Sequence, residues 1–177
     1  MTRAELEHII RASGTIADVE DLVVVGSQSI LGQFPDAPPE LLISKEADLF
    51  PRDDSSRADL IDSTIGEGSP FQKTFGYYAH GVDETTSVLP EGWRDRLILV
   101  EGDNTRFIRG WCLEVHDLAI AKYVAGREKD LDFTAILAQR AMTDQATLEA
   151  RLRATTIEPA LRAVVESRIR LHFANRL

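Results

Sequence analysis

The sequence predicts an α+β fold: a mixed β-sheet flanked by helices, followed by a C-terminal helical region. Three observations predict it. The branched apolar run Leu22-Val23-Val24-Val25 reads as a buried strand. Further strand-like segments, separated by turn residues, fill the middle of the chain. From Asp117 onward the pattern is helical to the end.

The elements follow in order. Thr2 and Glu5 have the spacing of a capping box, opening a helix that Gly14 is expected to end. The strand at 22–25 runs into Gly26 and Ser27. Residues 27–33 read as a helix, and Pro35, Pro38 and Pro39 force a loop after it. Residues 41–50 are expected to form a strand, or a strand-turn-strand, carrying Glu46 and Asp48. Residues 55–65 place Ala58, Leu60, Ile61 and Ile65 at helical spacing, and a glycine-rich loop at 66–70 follows. Strands are expected at 75–79, 96–101 and 107–115, with turns at Pro90-Glu91-Gly92 and Gly102-Asp103-Asn104. Helices follow at 117–125 and 130–140. Thr143 or Asp144 opens a third, and Thr156 caps a fourth. The expected organisation is a core over residues 1–115, with residues 116–177 packed on it as a helical region of one compact unit.

Composition narrows the function classes. A hydrophobic fraction of 44% over 177 residues suffices for a packed core, so disorder is not expected. A single cysteine, Cys112, excludes an internal disulfide framework, and no Cys/His cluster has zinc spacing. No apolar run approaches a membrane span, and the first residues lack a secretion signal, so a cytoplasmic protein without membrane partners is expected. The net charge of −9 opposes non-specific binding to nucleic acid. A local basic face formed by Arg94, Arg96, Arg106 and Arg109 remains open.

Two motifs carry candidate chemistry. A glycine-serine turn after a strand, Gly26-Ser27, can present backbone N–H groups to a phosphate, although serine is also an ordinary helix cap. Glu46 and Asp48, two residues apart on a strand, point to the same face. Acidic pairs are common on edge strands, but this one is flanked by Leu41, Leu42, Ile43, Leu49 and Phe50. Carboxylates in such a setting repel one another and favour a shared divalent cation. A third segment runs from His116-Asp117-Leu118 through Lys122 to Ala125-Gly126-Arg127-Glu128-Lys129-Asp130. A helical hairpin explains most of it: Asp117 and Asp130 as caps, Gly126 as the turn, and Arg127 and Lys129 complementing the dipole. Lys122, among Leu118, Ala121 and Ala125, either snorkels to solvent or meets an anion.

The strand–glycine-serine–helix, the acidic pair and the Asp117–Asp130 segment together resemble the minimal nucleotidyltransferases of the polymerase-beta superfamily. The AbiEii-type toxin nucleotidyltransferases and related uncharacterised bacterial proteins are the nearest in pattern. The resemblance runs from about Leu22 into the 130s and implies a nucleotidyltransferase-like sheet. It also implies that Gly26 and Ser27 hold the triphosphate of an NTP and that Glu46 and Asp48 bind Mg²⁺. Asp48, Lys122 and Asp130 would be catalytic, with Lys122 on phosphate and Asp130 as charge partner or base. Arg127 would join the nucleotide-binding set. The chain departs from the family pattern in having Val25 before Gly26 and Glu46 as first member of the metal pair. Glu114 is a candidate third carboxylate, or a solvent-facing glutamate.

The implied activity is transfer of NMP from an NTP to an acceptor hydroxyl on a tRNA-like RNA, a protein or a small molecule, and the resemblance extends to toxins partnered by a cognate antitoxin. The alternative is a catalytically degenerate fold that binds nucleotide or a protein partner. Tyr77, Tyr78 and His80 either line an acceptor pocket or pack their strand. Trp93 and Trp111 read as packing residues, Cys112 as buried and inert, and His116 as a residue that orients its turn.

Overall fold

A computed structural model describes residues 1–174. The fold is α+β, a five-stranded mixed sheet flanked by helices, with further helices toward the C-terminal end. The chain divides into two compact units. The first comprises Met1–Thr86 and Leu97–Leu113, and the second comprises Ser87–Arg96 and the chain from Glu114 onward.

The first unit opens with α1 (Arg3–Ala17). Thr2 and Glu5 form the expected capping box, in which the Glu5 carboxylate accepts from the Thr2 backbone N–H at 2.6 Å. Leu6, Ile9, Ile10, Ser13, Gly14 and Ala17 make one buried stripe along the helix. Gly14 therefore does not end α1. It permits a close approach, since a Cβ there would stand 2.6 Å from Ile108 Cγ2. The helix stops at Asp18, which adopts the left-handed conformation.

Five strands follow: β1 (Asp21–Val25), β2 (Glu46–Pro51), β3 (Tyr78–Gly81), β4 (Ile98–Val100) and β5 (Arg109–Cys112). Their order across the sheet is β3-β2-β1-β5-β4. β1 is antiparallel to β2 and parallel to β5, while β3 is parallel to β2 and β4 antiparallel to β5. Leu22, Val23, Val24 and Val25 are all buried, which the central position of β1 explains, with both faces covered. β2 instead alternates at its start. Ala47 and Leu49 are buried, while Glu46 and Asp48 are half-buried on the other face.

Several expected boundaries move. The helix expected at 27–33 is a 3₁₀ turn, Ser27–Ser29, followed by the single turn α2 (Ile30–Gln33). Of residues 41–50, only those from Glu46 onward are strand, because the proline-rich stretch before them folds as a 3₁₀ turn at Pro39–Leu41. The helix expected at 55–65 is α3 (Ala58–Ile65) after a 3₁₀ turn. Where a loop and strand were expected, Pro70–Phe75 forms α4, capped by Ser69, opened by Pro70 and closed by Gly76 in the left-handed conformation. The following strand consequently starts at Tyr78. The strand expected at 107–115 shortens to β5, because Phe107 has a positive φ of 61° at one end and Val115 begins a helix at the other.

The second unit contains α5 (Val115–Ala125), α6 (Glu128–Gln139), α7 (Gln145–Arg153) and α8 (Pro159–Ala174). Leu118, Ile120, Tyr123, Leu137, Leu148, Leu152, Val165 and Ile169 are buried apolar residues of these helices. Of the two candidate caps for the third helix, Asp144 serves, accepting from the Thr147 backbone N–H at 2.8 Å. The fourth starts at Pro159, three residues beyond Thr156. Asp117 is not a cap either. Its side chain is fully buried inside α5, where Arg96 donates from Nε and a terminal nitrogen at 2.8 and 3.0 Å and Arg151 lies at 3.3 Å.

That ion pair bears on the expected basic face. Arg94 and Arg96 fall in the second unit and Arg106 and Arg109 in the first. Arg96 is engaged by Asp117, Arg94 lies over the Trp93 ring, and Arg109 is engaged by Asp21. Arg94, Arg96 and Arg109 thus each meet a local partner, and Arg106 is exposed.

Candidate functional site

The first unit brings the glycine-serine turn and the acidic pair into direct contact. The β1–β2 register sets Val25 opposite Asp48, so the residue after β1, Gly26, reaches the Asp48 side chain. Gly26 has φ 65° and ψ −170°, a backbone conformation open to glycine. A Cβ built there would fall inside the contact radius of Asp48 Oδ2. No other residue fits between the strand end and this carboxylate. Ser27 opens the 3₁₀ turn, and Ser29 closes it by donating its hydroxyl to the Gly26 carbonyl at 2.8 Å. Gln28 in the same turn is buried, and neither its amide oxygen nor its nitrogen has a hydrogen-bond partner among the described residues.

Each carboxylate of the pair takes a hydrogen bond from β3. The parallel register aligns Glu46 with Tyr78 and Asp48 with His80. The Tyr78 hydroxyl donates to Glu46 Oε2 at 3.0 Å, and His80 Nδ1 lies 2.8 Å from Asp48 Oδ1. Burial pushes the Tyr78 phenol up to about 12, reinforced by its bond to Glu46 and the negative charge around it. Tyr78 therefore stays a protonated donor across the neutral range. Asp48 keeps 23% of its side-chain surface exposed and His80 49%, so this face is open to a ligand.

The donor chemistry fits a hard cation. Two carboxylates on one strand face, with substrate phosphates completing the shell, is a common way of holding Mg²⁺. Hydrogen bonds from Tyr78 and His80 orient the carboxylates as outer partners do at metal sites. Among the described residues no cluster of three or more His, Cys, Asp or Glu side chains is arranged to hold a metal. The candidate third carboxylate, Glu114, is not on a strand. It is the N-cap of α5, accepting from the His116 backbone N–H at 3.0 Å and pairing with His116 Nδ1 at 2.7 Å. His116 Nε2 in turn accepts from the Asp144 backbone N–H at 3.0 Å, tying the start of α5 to the start of α7.

The remaining expected site residues lie in the second unit, where they assemble with one another. Lys122 meets an anion rather than solvent: its Nζ donates to Asp130 Oδ1 at 3.0 Å and sits 4.4 Å from the centre of the Phe133 ring. Arg127 donates to the other oxygen of Asp130 at 2.6 Å. Asp130 is within the first turn of α6 rather than at its cap, a position filled by Arg127. Only 8% of the Lys122 side chain and 1% of Asp130 are exposed. Burial pulls the Lys122 ammonium below its usual range, with Asp130 propping it up. Burial also works to raise Asp130, but the bonds from Arg127 and Lys122 outweigh it and hold the carboxyl below its usual range.

Tyr77 takes no part in the carboxylate face. It belongs to an aromatic group with His8, Phe71 and Phe75, and its hydroxyl lies 2.8 Å from His8 Nδ1. Trp111 packs beneath Arg52, and its indole N–H donates to Asp21 at 2.6 Å. Cys112 is buried and its thiol pushed up to about 12 by burial, consistent with an inert side chain. In the sequence Tyr78 and His80 read as pocket or packing residues, and nothing there marks Gln28. Period-two alternation on β3 would have separated Tyr77 from Tyr78 and His80, but only once the β2–β3 register was known.

With this geometry in view, the chain is placed by its sequence among the nucleotidyltransferases. It belongs to the family described as nucleotidyltransferase of unknown function (DUF6036), which it matches over residues 4–168. No curated protein and no solved structure matches the chain. Among the described residues no helix is long and apolar enough to cross a membrane.

Proposed function

We propose that the chain is a Mg²⁺-dependent nucleotidyltransferase that moves NMP from an NTP to an acceptor hydroxyl. The observation that carries this reading is the contact of Gly26 with Asp48, which joins the candidate phosphate turn to the candidate metal carboxylate. Glu46 and Asp48 would hold the cation, and Gly26 and Ser27 would donate to phosphate oxygens. Bound Mg²⁺ would neutralise phosphate charge and polarise the reacting groups. Tyr78 and His80 keep the carboxylates facing one way. Lys122 and, more weakly, Arg127 are proposed to meet nucleotide phosphate, with Asp130 as charge partner or base, on the strength of the AbiEii-type resemblance. The acceptor follows from the same resemblance: a tRNA-like RNA, a protein or a small molecule, with the chain as the toxin of a toxin–antitoxin pair in the cytoplasm.

The test is labelling. Each α-³²P NTP is incubated with Mg²⁺, the protein, and bulk tRNA, a cell-protein extract or a small-molecule cell extract. Label should enter one acceptor class with wild type and not with Asp48→Ala. The capping role of Glu114 favours a second reading, a degenerate fold that binds nucleotide or a protein partner without turnover. NTP binding with no transfer to any of the three acceptor classes would decide for it.

A further inference from the structure

Gln28 stands in the middle of the turn that joins β1 to α2, with 1% of its surface exposed. Neither its amide oxygen nor its amide nitrogen has a hydrogen-bond partner, and among the described residues no other side chain leaves two buried polar atoms unpaired. An apolar side chain of the same length would be more stable there, because a buried amide without partners forfeits its hydrogen bonds to water. A strained group of this kind in a candidate ligand site points to a second state in which it is satisfied. The turn has the means to reach one. Gly26, at its start, holds φ 65° and ψ −170° and is free of the steric barriers that confine other residues. The turn is 3₁₀, a geometry with poorer hydrogen bonds than an α-helix, and no side chain caps it. Its bonds to the Gly26 carbonyl come from the Ser29 N–H and hydroxyl, at 3.2 and 2.8 Å. Beyond it, Gly32 packs directly against Cys112 and anchors α2 to the sheet. Movement of Ser27, Gln28 and Ser29 thus leaves α2 and the sheet in place.

We propose that Gln28 is a nucleotide-binding residue that the resting turn keeps buried: the turn opens as the triphosphate arrives, and the Gln28 amide nitrogen then donates to a phosphate oxygen. The inference rests on the nucleotide site proposed above. In the closed turn both amide atoms are unpaired. In the open turn the nitrogen meets phosphate and the oxygen meets water. The unpaired amide brings the two states closer in free energy, and the ligand selects the open one through the contact it adds.

The test titrates the full chain with each NTP and Mg²⁺ by calorimetry, wild type beside Gln28→Met, which puts an apolar side chain of similar length in the same place. Gln28→Met should raise the Tm of the ligand-free protein by about 2–4 °C while weakening Mg²⁺–NTP binding at least about tenfold. A stabilised variant that binds less well is the signature of a residue kept for its ligand. Unchanged affinity in Gln28→Met, with wild type binding NTP, would overturn the proposal and leave the nucleotide site standing. So would a lower Tm, since the amide would then be supporting the resting fold. No binding of any NTP by wild type would remove the nucleotide site itself, and the role of Gln28 with it. Hydrogen exchange supplies a readout that needs no ligand. The backbone amides of residues 27–29 should exchange more slowly in Gln28→Met than in wild type, and equal rates would contradict a turn with two states.

Discussion

Asp48 in the first unit and Asp130 in the second are both aspartates held by neighbours, but the neighbours differ in kind. Asp130 is buried between Lys122 and Arg127, and Asp117 in the same unit is buried between Arg96 and Arg151. Asp48 meets an imidazole, its companion Glu46 meets a phenol, and both sit on a half-open strand face. Buried carboxylates with dedicated cations consolidate a helical unit, because their charge is answered within the fold. Carboxylates oriented by hydrogen-bond donors on an accessible face retain charge that a cation from solution can answer. The comparison places cation binding on the half-open pair and a structural role on Asp117, and leaves Asp130 as the charge that orders Lys122 and Arg127.

The sharpest way to break this comparison is to exchange the consequences. Asp117→Ala should leave two arginines facing a vacated buried site and cost about 3–5 kcal/mol in urea unfolding. Asp48→Ala should leave unfolding nearly unchanged while lowering nucleotidyl transfer by about a thousandfold. If Asp48→Ala unfolds the chain and Asp117→Ala does not, the assignment is reversed. Gly26→Ala combines a positive-φ, extended-ψ backbone that only glycine adopts readily, costing about 1–3 kcal/mol, with a collision against Asp48, so both stability and Mg²⁺–NTP affinity should fall. Tyr78→Phe should weaken Mg²⁺ binding about tenfold without changing the unfolding midpoint, as loss of an outer partner does.

The smallest effect is in pH. The Asp130 carboxyl lies below its unfolded value of 3.8, so its contribution is fully present above that value and disappears as pH falls through the lower folded one. Wild-type stability measured by denaturant titration should therefore decline across that acid range more steeply than that of Asp130→Asn.

Much of this was legible in the chain. The strand Leu22-Val23-Val24-Val25 and the acidic pair two residues apart are local patterns, and local patterns survive folding. So is the Thr2–Glu5 capping box. What the sequence hid depends on pairing. Gly14 has the look of a helix end, and only the approach of Ile108 shows it to be a packing position. Glu114 reads as a strand residue until the positive φ of Phe107 and the start of α5 confine β5 to four residues. The partners of Asp48 and Glu46 lie 32 residues away, and the parallel register that supplies them leaves no trace in residue order. Lys122 stands out on an apolar helix, and the sequence allows both solvent and an anion for it; the fold selects the anion by bringing Asp130 beside it.

The most direct measurement is calorimetric titration of wild type and Asp48→Asn with each NTP, with and without Mg²⁺, the fold of both confirmed by circular dichroism. The account predicts Mg²⁺-dependent binding of at least one NTP by wild type and its loss in the folded variant. Equal binding by both proteins, or binding indifferent to Mg²⁺, would contradict it and remove the Glu46–Asp48 face from the nucleotide site.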